Sequence, residues 1–144
     1  MEESVYSIRM EKVRGLMSGE GIDVFLVSPS SNMFYLSGYG IKGDERLLLF
    51  VLPQDKKPFI LANLLYKEQV KSLPVASLLQ EDFIFWKDGD DPFLLLKAEI
   101  EKRKIPIKKA ALEPQIPALF SLPLGSSFPQ TNFVLGSSLT DPLR

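Results

Sequence analysis

The chain of 144 residues contains neither cysteine nor histidine. Without cysteine there can be no disulfide, no thiolate metal site and no nucleophilic thiol, which suits a reducing cytosol. Without histidine the common base that activates a serine nucleophile is missing, and no serine sits in a G-x-S-x-G elbow. Charge of one sign is lacking too: 17 Lys and Arg stand against 18 Asp and Glu. That balance excludes the basic field that would replace counterions on a nucleic acid. Long hydrophobic runs are absent, since the longest, Leu47 to Leu52, falls far short of the ~20 residues that span a bilayer. The start, Met1-Glu2-Glu3-Ser4, is acidic where a secretory signal would be basic. A soluble, cytoplasmic protein is expected.

What remains is the composition of an ordinary globular domain, 45% hydrophobic and 24% charged. A domain of this length buries about 70% of the surface its unfolded chain exposes, enough for one core without metal or disulfide staples. Tyr6, Met10, Val13 and Met17 recur at helical spacing and predict an amphipathic helix closed by Gly19 and Gly21. Asp23 to Ser28 is apolar at consecutive positions, as in a strand covered on both faces. Ser30 or Ser31 can cap a short helix through Leu36, with Gly38 at its end. Arg46 to Leu52 and Pro58 to Ala62 predict an antiparallel pair joined by a polar connection.

Asn63 can cap a helix to about Ser72, and Phe83 to Trp86 reads as a strand. Asp90 or Asp91, followed by Pro92, opens a helix to about Lys104. Strands are expected at Lys109 to Glu113 and Thr131 to Leu135, with the prolines at 114, 117, 123 and 129 breaking the segment between them into short pieces. Helix-linked strands should be parallel and the hairpin antiparallel, so the fold class is α/β with a mixed sheet.

Several motifs invite chemical readings. Gly38-Tyr39-Gly40-Ile41-Lys42-Gly43 is a literal G-x-G-x-x-G. A dinucleotide site, however, needs a strand before it, a helix after it and an acidic residue about 20 positions on, whereas Lys57 to Leu65 holds no Asp or Glu. Asp88-Gly89-Asp90-Asp91 with Glu99 superficially follows a calcium loop, but Pro92 and Phe93 occupy positions that need an oxygen ligand and a glycine. It reads better as an acidic helix cap. Glu68, Glu81, Asp82 and Glu113 show no spacing that would place two in one cleft, and solvated positions account for most of them. Lys102-Arg103-Lys104 and Lys108-Lys109 form a basic cluster at a helix end, where cations offset the dipole. Trp86 and the phenylalanines read mainly as core, with room for an exposed member at an interface.

Asn32-Met33-Phe34-Tyr35-Leu36-Ser37-Gly38-Tyr39, following Gly21-Ile22-Asp23 and its strand, resembles the signature of the amino-terminal domain of the creatinase/prolidase/aminopeptidase P group of Xaa-Pro metallopeptidases. Arg9, Arg46, Asp88 to Pro92, Leu112-Glu113 and Leu143-Arg144 follow in the family's order. The resemblance implies a three-layer α/β/α domain with a five- or six-stranded mixed sheet of the ribonuclease-H-like kind. It implies residues 1–136 as that domain and 137–144 as the start of a linker to a catalytic domain. It further implies no catalytic or metal-ligating residue here, two divalent metal ions, manganese or cobalt, in the catalytic domain, a homodimer, and proline-containing peptides as substrates. This segment alone would then be no enzyme, the intact protein a hydrolase. Tyr35, Tyr39 and Arg46 are the implied candidates for the substrate cleft or interface, although Tyr35 and Leu36 fit equally well as packing of the short helix. Alternative readings are a binding or dimerisation module of an inactive family member, or a creatinase-type amidinohydrolase.

Overall fold

The computed structural model describes residues 2–40, 42–80 and 82–143. Ile41, Glu81 and Arg144 lie outside the described residues. Helix α1 (Glu2–Glu20) buries Met10, Val13 and Met17, the stripe its 3.6-residue period predicts. Its end is a Schellman turn: Gly21 takes φ +68°, and the N–H groups of Gly21 and Ile22 donate to the carbonyls of Ser18 and Met17.

Strand β1 (Val24–Val27) is buried throughout, with Val24 and Leu26 facing one cluster of apolar side chains and Phe25 and Val27 the other. That two-sided burial is why its sequence does not alternate. Helix α2 (Ser31–Ser37) follows, capped by the Ser30 hydroxyl accepting from the Met33 N–H at 3.2 Å and closed by Gly38 at φ +85°. Strands β2 (Leu49–Pro53) and β3 (Phe59–Asn63) form the expected antiparallel pair. The strand expected from Arg46 starts instead at Leu49. The Arg46 N–H is bonded to Asp44 Oδ1 at 2.9 Å, so this residue belongs to a loop and not to the ladder.

Asn63 caps a 3-10 turn, Leu64–Tyr66, that runs into α3 (Lys67–Lys71), and α4 (Ala76–Leu79) precedes β4 (Phe83–Trp86). Then come α5 (Pro92–Lys102), β5 (Lys109–Leu112), α6 (Ala118–Ser127), β6 (Asn132–Leu135) and α7 (Ser137–Thr140). Helix α6 corrects the expectation of short broken pieces. Pro123 removes one bond, that to the Leu119 carbonyl, on a turn whose Leu119 side chain is 59% exposed, while Phe120 and Leu124 bury beneath it. Beyond residue 136, Leu139 is fully buried and α7 packs on α1. One such leucine contributes about 1.5–3 kcal/mol by burial.

The sheet order is β4-β3-β2-β1-β5-β6, with β2 antiparallel to both neighbours and the other pairings parallel. Helices α1, α2, α3, α4 and α7 cover one face, and α5 and α6 the other, giving three layers. Because only β2 runs against the rest, the carboxyl ends of β1, β3, β4, β5 and β6 and the start of β2 share one edge. This rim collects Ser28 to Asn32, the loop before β2, Asn63, the turn after Trp86, Glu113 and Gly136.

Candidate functional site

At the β2–β3–β4 end of the rim, Arg46 reaches from its loop to the turn after β4. Its Nε and Nη2 donate to Asp88 Oδ1 and Oδ2, both at 3.0 Å, and Nη1 reaches Glu45 at 3.3 Å. Asn63 Nδ2 adds a third hydrogen bond to Asp88 Oδ1 at 3.0 Å. Asp44 accepts from the Arg46 N–H and, through its other oxygen, from the Tyr66 hydroxyl. These contacts tune one another. The Tyr66 phenol is pushed up to about 12, first by its bond to the Asp44 carboxylate and then by burial. Arg46 is raised by its bonds to Asp88 and by that charge, and Asp88 is lowered chiefly by the bond from Arg46. Burial pulls Asp44 upward but is outweighed by the bonds from Tyr66 and the Arg46 backbone and by the Arg46 charge, so it ends below the carboxylate range.

At the β1–β5 end, the α2 segment is anchored from inside. Asn32 Nδ2 donates to Glu113 Oε1 at 3.1 Å, both residues buried, and Glu113 Oε2 accepts from the Gln115 N–H at 2.7 Å. Tyr35 is partly buried, with the Arg9 guanidinium carbon 4.6 Å from its ring centre. Its neighbour Phe34 is 57% exposed. Tyr39 is only 3% exposed, packed in the core, with its N–H on Ser37 Oγ, and burial and then Asp44 raise its phenol.

The three expected cleft residues are therefore not one constellation. Arg46 lines a cavity of about 340 Å3 with Asn63, Leu64, Leu65, Lys87 and Asp88. Tyr35 lines another of about 570 Å3 with Arg9, Ser30, Ser31, Phe34 and Gly40. Tyr39 lines neither and packs in the core. Nothing in the local pattern of Asp44 and Tyr66 separates them from ordinary loop and helix residues, and Phe34, within the signature, is the exposed phenylalanine that composition alone does not single out.

The remaining motifs resolve into structure. Gly40 lies against the Phe34 ring, where a Cβ would stand 3.3 Å from a ring carbon, and Gly43 against Pro29 at 3.2 Å, so neither frames a phosphate cradle. Asp91 caps α5 by accepting from the N–H groups of Phe93 and Leu94. Asp82, among the carboxylates of which most are expected in solvent, pairs with Arg103 at 2.6 and 2.8 Å, and Arg103 also bonds Glu99 and stacks 4.2 Å from the Phe59 ring centre. Lys109 Nζ donates to the Glu20 carbonyl at 2.8 Å, so the basic run is divided among separate partners. Trp86 is core, its Nε1 donating to the Leu47 carbonyl at 3.0 Å. No group of three or more His, Cys, Asp or Glu among the described residues could hold a metal ion. Nor, among them, is any helix long and apolar enough to cross a membrane.

The architecture and the α2 segment can now be set beside known proteins. The model of the creatinase/prolidase N-terminal domain matches residues 9–144. The chain belongs to that family. Dipeptidase PepE from Mycobacterium ulcerans superposes with a TM-score of 0.86 at 27% identity, over 100% of this chain and 38% of that one. The N-terminal domain of an Xaa-Pro dipeptidase from Lactobacillus brevis gives a TM-score of 0.78 at 23% identity, over 90% of this chain and 94% of that one, a likeness of fold alone. By sequence, an Xaa-Pro dipeptidase of Lactobacillus delbrueckii subsp. lactis is 25% identical over 127 residues, 88% of this chain and 33% of that protein. A probable dipeptidase PepE of Mycobacterium tuberculosis is 28% identical over 143 residues, 99% of this chain and 36% of that protein. The chain thus spans about a third of the length of the curated relatives it matches. As a creatinase/prolidase N-terminal domain it has the mixed six-stranded sheet of its structural neighbours.

Proposed function

We propose that this chain is the non-catalytic N-terminal part of an Xaa-Pro dipeptidase that works in the cytoplasm. Its strand-end rim would contribute to a homodimer and to the substrate cleft. The observation that carries this reading is coverage: nearly all of this chain aligns with about a third of dipeptidases that continue beyond it. The resemblance adds two divalent ions, of manganese or cobalt type, in the catalytic part. No group among the described residues composes such a centre, and the share proposed for them is to bind and orient. In this reading the Arg46–Asp88 pair holds the loop before β2 in place at the cleft, and Tyr35 and Phe34 offer ring surface to a neighbouring domain or subunit.

The test is hydrolysis of Xaa-Pro dipeptides by the full-length protein supplied with manganese, run beside sedimentation analysis. Cleavage by a dimer is the expected result. A full-length dimer that cleaves no such peptide would overturn the peptidase reading and leave a dimerisation module.

A further inference from the structure

At the sheet end opposite the rim, where β5 and β6 begin, a cavity of about 460 Å3 opens between the carboxyl ends of α5 and α6. That volume is in the range of small-ligand pockets. Its floor is apolar: Ile100, Ile105 and Phe128 are buried and Ile107 is half-buried. Around this floor stand Lys97, Lys104 and Lys108, all exposed. None of the three side chains makes a hydrogen bond or an ion pair among the described residues. Glu101, the one carboxylate on the cavity wall, offsets at most one of them.

Lys104 is placed there at a backbone cost. Its φ of +57° is the left-handed turn that closes α5, with its N–H on the Glu101 carbonyl at 3.1 Å and the Ile105 N–H on the Ile100 carbonyl at 3.0 Å. Glycine is the usual residue at such a position, because it has no Cβ to clash. Offsetting the helix dipole does not call for this lysine, since Lys102 and Arg103 already supply cations at the same terminus. A strained lysine beside a recessed apolar floor has the composition of a binding site.

We infer that this cavity binds a free amphipathic anion, a molecule whose apolar body of several carbons fills the floor and whose single acidic head meets the lysines. An ammonium is a point charge without a planar fork, so carboxylate and phosphate heads share the required chemistry. A bilayer surface needs apolar side chains that protrude, whereas these are recessed. A nucleotide base needs partners for its polar edges, and the four apolar side chains of the floor give none. The cavity lies away from the rim, so the inference stands apart from the dipeptidase reading.

The 144-residue chain is titrated with sodium octanoate, sodium hexanoate, octyl phosphate, 1-octanol and AMP while amide NMR shifts are followed. Octanoate and octyl phosphate should shift Ile105, Phe128 and Thr131 saturably, the tighter of the two naming the head. Hexanoate should bind about ten-fold more weakly than octanoate, having two fewer methylenes to bury. Octanol, without charge, should bind about five-fold more weakly than octanoate. The double variant Lys104→Asn, Lys108→Gln should bind octanoate no better than octanol while keeping the melting temperature of the unaltered chain, because both positions are exposed and asparagine accepts the left-handed backbone. Absence of saturable shifts with both octyl anions, shifts away from the cavity, equal binding of octanoate and octanol, or unchanged octanoate affinity in the double variant would overturn the inference. Equal affinity for hexanoate and octanoate would remove the apolar floor from it, and tighter binding of AMP than of octanoate would replace the amphiphile by a nucleotide.

Discussion

Arg46 and Arg9 serve opposite ends of one rim and show two uses of the same side chain. Arg46 spends its fork on Asp88, and the carboxylate answers with both oxygens and a third bond from Asn63. Arg9 is oriented by two tyrosine rings and a carbonyl, and no carboxylate among the described residues pairs with it. A guanidinium that closes on a carboxylate joins two loops; one that rests on rings remains able to take an anion. The difference therefore lies in the neighbours, and a family motif that names only the arginine does not reveal it.

The largest change is expected from Gly136→Ala, at the β1–β5 end of the rim. A Cβ there would stand 2.5 Å from the Phe25 ring and 3.1 Å from the Leu112 carbonyl, forcing core and rim to shift. Chemical denaturation should show a loss of about 1–3 kcal/mol, the usual range for overpacking. Next in size is Arg9→Ala, which removes a charged hydrogen bond and a ring contact from α1 to Tyr35 on α2, with a second ring contact to Tyr6 within α1, and should cost about 1–2 kcal/mol. Arg46→Ala should lower the melting temperature less than Arg9→Ala does. The deficit should shrink in 1 M salt, because the Arg46–Asp88 pair is solvent-screened. No salt dependence would mean that Arg46 acts through packing.

The smallest effect is spectroscopic. With the Tyr66 phenol raised to about 12, its neutral form contributes stability fully below the ordinary tyrosine value of about 10, and that contribution fades as pH rises through 12. Asp44, lowered, works in the opposite direction: its contribution is present above about pH 4 and is lost as pH falls through its folded value. Absorbance titration should show a phenolate step near 12 that disappears in Tyr66→Phe. The step should move downward in Asp44→Asn.

Much of the fold is legible because burial leaves periodic marks. The α1 stripe, the two-sided β1, the β2–β3 hairpin and the Asp91 and Ser30 caps are all local patterns, and each forms. Helix α6 escaped because its prolines read as breakers, while the exposed side that tolerates Pro123 is known only from the packing. The α7 segment escaped because four residues carry no period, and Leu139 is core only by virtue of α1 beneath it. At the site, the Arg46–Asp88 pair joins residues 42 positions apart, brought together only when β3 and β4 align. The burial of Tyr39 is not legible for the related reason that a signature records which residue recurs, not whether it points inward.

The division of labour between the two arginines can be read in one spectrum, the Nε–Hε resonances of the 144-residue chain titrated with sodium acetate. Arg9 Nε should move saturably while Arg46 Nε, fixed on Asp88, stays in place. Movement of Arg46 Nε at lower ligand concentration, with Arg9 Nε unmoved, would contradict the account.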